Sequence, residues 1–191
     1  MGVNASVQRR KLPESSDGHT HRTDNERVTI DPFDWAVVIH EASHCVIGNR
    51  LGLLVKRVEF VWENGALNGY SHIREGSKLT DWLVTLLAGE TAETEIFGKQ
   101  VLPRMHARSD REQLYLAVVR AGRMGDQALF VARQQAPRMV RVHRGAILQL
   151  SHDLLALVHH AQGQDVSVEG DELARLLGGP DVAILRLAAN G

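Results

Sequence analysis

The chain is poor in cysteine, proline and aromatic residues: one cysteine, five prolines and 5% aromatic content in 191 residues. The lone Cys45 cannot close an internal disulfide, so nothing demands an oxidising compartment and a cytoplasmic address is the simplest expectation. Long apolar runs are also missing. The best are "WAVVI" and "LVTLLAG", far short of the roughly 18 to 20 residues a spanning helix needs, so no membrane span is expected. A formal net charge of -1 removes any bulk attraction to nucleic acid, and no nucleic-acid partner is expected. The pattern G-x-x-x-x-G-K-[ST], which cradles nucleotide phosphates, occurs nowhere. The basic "RRK" at 9–11 leads into a polar stretch where an export signal needs an apolar core, so no such signal is expected.

What is present suffices for one domain, since 43% of the residues are hydrophobic. Residues 1–27 are polar and without apolar periodicity; they read as a disordered tail, and His19 and His21 within it as a solvated pair. The domain is expected over 28–180, with 181–191 as a C-terminal extension. Asp31-Pro32, with Asp34 in the following turn, is a helix-start signal and predicts a helix over 32–50. "VKRVEFVW" alternates, with Val58, Phe60 and Trp62 on one face, and Asn64-Gly65 turns it into "LNGYSHIR" as an antiparallel hairpin. Thr80 and Asp81 open a helix to Phe97, stopped by Gly98. Ser109 with Glu112 suggests a capping box for a third, with Leu114, Ala117 and Val118 on one side. The remainder reads as a helix over 126–135, a break near Pro137, a long helix towards Gly163 and a short one over 171–177. The fold class is mainly α with a small antiparallel β-sheet, an α+β domain.

The first helix contains "IHEASHCVIG", an H-E-x-x-H pattern made by His40, Glu41 and His44. Residues four apart share a helix face, so the two imidazoles converge on one point suited to a zinc ion. Glu41 beside them can reach a water held there and act as its base. The pattern arises by accident in on the order of one chain in thirty of this composition, so its place inside a well-capped apolar helix adds weight. Cys45 is adjacent to His44, about 100° round the helix, and reads as a small core residue. A catalytic zinc ion takes three protein ligands and keeps one open position. For the third ligand the sequence offers Glu90, Glu93, Glu95 and Asp110.

Several blocks together resemble one family. "HEASHCVIG" is similar to the HEAGH helix of the FtsH-type zinc peptidases, "NGALNGYSHI" to their substrate-edge strand, and "LLAGETAETEIFG" to their LLGGRAAEEIIFG helix. "ARSDREQLYLAVV" resembles the family's A-x-N-D helix start, and "APRMVRVHRGAILQLSHDLLALVHHAQ" and "VSVEGDELARLL" its closing helices. The likeness covers about residues 32–178. It implies an FtsH-like peptidase fold with Asp110 as the third zinc ligand, Glu93 close to the metal without binding it, and Asn68, Gly69 and Tyr70 as an edge strand for extended substrate. Two departures stand out. Ser43 replaces the family's glycine, and the ATPase module and transmembrane helices are absent from these residues.

The expectation is a stand-alone, ATP-independent zinc metallopeptidase that cuts unfolded or flexible polypeptide, with Glu41 as base and Zn2+ as cofactor. A homo-oligomer or an ATPase in trans are the partners such a chain would use. The alternatives are a docking or regulatory protein that keeps the fold without cleaving, and a narrow protease that cuts one regulatory partner. Glu41 speaks against docking alone, because a structural metal needs no base.

Overall fold

A computed structural model describes residues 31–102 and 108–178. The expected tail at 1–27, with His19 and His21, and the extension at 181–191 lie outside the described residues. The element order is α1 (Pro32–Arg50), β1 (Val55–Glu63), β2 (Ala66–Ile73), α2 (Leu79–Phe97), α3 (Arg108–Ala121), α4 (Arg123–Val142), α5 (Arg144–His160), β3 (Val166–Glu169) and α6 (Gly170–Leu176). The described chain is thus mainly helical with one small antiparallel sheet. None of its helices is long and apolar enough to cross a membrane.

Helix α1 is the axis of the domain. Asp31 caps it, its carboxylate accepting from the Phe33 N–H at 2.8 Å, and proline follows at the first position. Every residue from Ala36 to Gly48 is buried, because α2, α5 and β2 all pack on this helix. A helix covered on all sides is apolar all round, and the charged or polar groups in it need partners. The hairpin forms as its alternation implies. Asn64 and Gly65 take φ of 53° and 80°, the left-handed pair that a tight two-residue turn requires. Val58 and Phe60 are fully buried on the inner face.

Three features differ from expectation. A third strand, β3, pairs antiparallel with β1 (Phe60 opposite Val166, Arg57 opposite Glu169), giving the order β2-β1-β3. Four residues carry too little alternation to announce a strand; the exposed β1 backbone supplies its partner. Helix α4 runs through Pro137 without a break, and the chain turns at His143 instead. Proline in a helix interior costs about 3 kcal/mol, but the buried stripe Ala132, Ala136, Val140 spans the site and outweighs it. The capping box does not form: Ser109 lies inside the first turn of α3 and accepts from Gln113, while Glu112 pairs with Arg108. Both groups found partners one turn along the helix, where the side chains of neighbouring turns meet.

Candidate metal centre

His40 and His44 sit one turn apart on the same face of α1, only 2% and 4% exposed. Their rings lie 4.8 Å apart between centres, tilted by 72°. Helix α3 brings Asp110 over them, so that its Oδ2 lies 3.0 Å from Nε2 of each histidine. One ligand atom from each of the three residues lies within 4.8 Å of the other two, a group that could hold a metal ion.

The far side of each imidazole is fixed. Nδ1 of His44 donates to the Thr85 carbonyl at 2.7 Å; a carbonyl only accepts, so the neutral ring has its Nε2 lone pair turned towards Asp110. Nδ1 of His40 lies 2.7 Å from Oε1 of Glu93, with the same consequence when that carboxylate is ionised. The other oxygen of Glu93 accepts the Val101 and Leu102 N–H groups, each at 2.9 Å. Glu93 therefore spends its acceptors on orienting His40 and holding the chain after α2. The remaining carboxylates point elsewhere: Glu90 receives the Arg111 Nε at 2.6 Å and Glu95 faces Arg141 at 3.4 Å. The first of these pairs ties the start of α3, and with it Asp110, to α2.

Backbone space matters as much as polar contact. A Cβ at Gly89 would lie 2.4 Å from His40 Nε2, so the ring fits only because α2 has no side chain there. On β2, a Cβ at Gly69 would lie 2.4 Å from Glu41 Cγ. Glycine inside a regular element marks a close approach, and this signal could have singled out Gly89 from sequence. Ser71 and Thr85 carried no such mark. Ser71 Oγ donates to Glu41 Oε2 at 2.5 Å, and only the pairing of β2 over α1 puts it there.

The electrostatics ask for positive charge at the meeting point. Burial alone would lower the His40 pKa, but its hydrogen bonds to Asp110 and Glu93 and the nearby Glu41 raise it to about 10. His44 is likewise raised, burial being outweighed by the Asp110 charge and hydrogen bond. Burial pushes the Asp110 carboxyl up, yet the His44 charge and the two histidine hydrogen bonds hold it well below the usual carboxylate range. Glu93 is also lowered, its burial offset by the His40 hydrogen bond and the Leu102 amide. Two imidazole nitrogens and one carboxylate oxygen, preoriented and electron-rich, fit a divalent cation taking the place of the proton. Cys45 is no part of this set. Its thiol, pushed up to about 12 chiefly by burial, donates to Ser71 Oγ at 3.7 Å.

The centre opens into a cavity of about 270 Å3, lined by Glu41 and His44 from α1, Tyr70 and Ser71 from β2, Leu86 from α2 and Asp110 from α3. Gly69 also lines it, whereas Asn68 lies outside and donates weakly to Glu63 at 3.5 Å. Strand β2 forms the sheet edge beside this cavity, with no further strand paired to it among the described residues. No protein-family model matches the chain, and no curated protein matches it.

Proposed function

We propose that this chain is a zinc metallopeptidase that hydrolyses peptide bonds in flexible or unfolded polypeptide without using ATP. One observation carries the reading: Glu41 lines the same cavity as His44 and Asp110, beside an open sheet edge. A structural metal site is closed and needs no adjacent base, whereas this group would supply three ligands and has Glu41 lining the cavity beside them. The resemblance of the His40, Glu41, His44 helix and of the Asp110 region to FtsH-type zinc peptidases supports the same conclusion.

His40, His44 and Asp110 would hold the ion. When bound, zinc supplies Lewis acidity, lowering the pKa of water to about 7 and polarising a scissile carbonyl. Glu41 takes the proton from the attacking water and hands it to the departing amine. Strand β2 offers the outward-facing backbone groups of its free edge, around Gly69 and Tyr70, to an extended peptide, which a chain still folded cannot match. A folded substrate must first open at a free-energy cost of roughly 5 to 15 kcal/mol, so cleavage is confined to flexible segments.

The test is digestion of an unstructured polypeptide such as casein by the zinc-loaded protein, with and without ATP, with a chelator, and with the Glu41→Gln variant. Slow cleavage that ignores ATP, stops with chelator and is lost in a zinc-loaded Glu41→Gln variant is expected. An inert zinc-loaded parent refutes the general peptidase. A second reading, a protein that docks to a partner without degrading it, is favoured by the exposed Tyr115 and Phe130, each 67% accessible, and Met124. Partner capture by an inert parent would select it. Cleavage of one regulatory protein and nothing else would select the narrow protease.

A further inference from the structure

We propose that Ser71 is a positioning residue for Glu41: its hydroxyl ties down one carboxylate oxygen and leaves the other to move the proton. The proposal rests on the peptidase reading above and assigns to β2 a task besides meeting substrate.

The geometry is a short directed chain. Cys45, one turn beyond Glu41 on α1, donates its S–H to Ser71 Oγ at 3.7 Å. A serine hydroxyl has a single proton, and with the thiol occupying one lone pair that proton is directed to Glu41, whose Oε2 lies 2.5 Å away. The Glu41 carbonyl, 3.2 Å from the same Oγ, is the longer alternative acceptor. Hydrogen bonds to an ionised group are the shorter and stronger kind, so the carboxylate is the favoured acceptor. Among the described residues Ser71 is the hydrogen-bond partner of this carboxylate, and all of it falls on Oε2. Oε1 is left for water and leaving group.

Strand register explains why position 71 has this access. Val58 stands opposite Ser71 and Phe60 opposite Gly69, so the two β2 residues share the sheet face that buries Val58 and Phe60. Gly69 yields the volume that Glu41 Cγ occupies, and Ser71, two residues on, supplies the donor. One inward position makes room and the next holds what enters it. A carboxylate with several rotatable bonds otherwise samples orientations in which neither oxygen faces the reacting atoms, and misplacement of about 1 Å costs on the order of 100-fold in rate.

The test compares Ser71→Ala and Ser71→Thr with the parent. In the zinc-loaded proteins, kcat on an unstructured peptide should fall about 10- to 100-fold in Ser71→Ala with KM nearly unchanged, zinc content should stay at the parental level, and Ser71→Thr should recover most of the loss. A second readout needs neither metal nor activity. In the metal-free protein, Ser71→Ala should lower Tm by about 3 to 10 °C more when Glu41 is present than in the Glu41→Ala background. An active parent whose Ser71→Ala variant keeps parental kcat, or melting effects that simply add, overturns the role of Ser71 alone. A zinc-loaded parent with no peptidase activity overturns the peptidase reading, and the role of Ser71 with it.

Discussion

His40 and Glu93, 53 residues apart in sequence, meet at 2.7 Å, and the same glutamate receives the backbone amides of Val101 and Leu102. One carboxylate thus orients an imidazole of the His40, His44, Asp110 group and anchors the segment that leads towards its third member. Glu93→Gln should lower zinc affinity about 10- to 100-fold, because the amide cannot serve both the imidazole N–H and the two amides as an anion does. Competition against a chromophoric chelator measures this, and unchanged affinity would show that His40 needs no outer partner.

Asp110→Ala should remove most of the bound zinc, since two histidines on one helix make a weak site without a third donor. Elemental analysis after gel filtration reads the outcome. Full occupancy in the variant would shift the third position to another carboxylate, with Glu93 the first to examine.

Gly89→Ala puts a methyl group where the His40 ring stands, 2.4 Å from Nε2, in a region packed on both sides. Overpacking of this kind costs about 1 to 3 kcal/mol, so thermal melting of the metal-free protein should shift downward. Zinc binding should fall further than the stability loss accounts for, because the ring itself is displaced. A variant that melts and binds like the parent would mean the helices part easily here.

The pH dependence follows from two opposed shifts. His40 is raised to about 10, so its contribution to the stability of the metal-free fold is complete below the unfolded histidine value, about 6.5, and is lost as pH rises through 10. Asp110 is lowered, so its contribution is present above the unfolded value of 3.8 and is lost as pH falls into the acid range. Both are intact only between roughly pH 4 and 6.5. Zinc requires the neutral imidazole, so binding at pH 8 should still release about one proton and affinity should go on rising towards pH 10. Calorimetry in buffers of different ionisation enthalpy counts the protons; none released at pH 8 would contradict the raised His40.

The sequence by itself determined whatever is settled within a turn or two of backbone. Asp31-Pro32 starts α1 because cap and ring act on adjacent residues, and a four-residue spacing puts His40 and His44 on one face of any α-helix. The Asn64-Gly65 turn follows from the conformations those two residues tolerate. Pattern alone did not separate Asp110 from Glu90 or Glu95, since all three are acids on helices; the fold decides it by turning Asp110 to the histidines and pairing the others with Arg111 and Arg141. The same holds for Ser71, which is adjacent to nothing relevant until β2 registers against β1 and lies over α1. Strand β3 exists because β1 has an edge to give it, and α4 passes Pro137 because its buried stripe is worth more than one lost hydrogen bond. Local conformation is set by short-range sterics and hydrogen bonding, whereas a site assembled from four elements depends on which surfaces bury one another, and that balance is struck only in the folded chain.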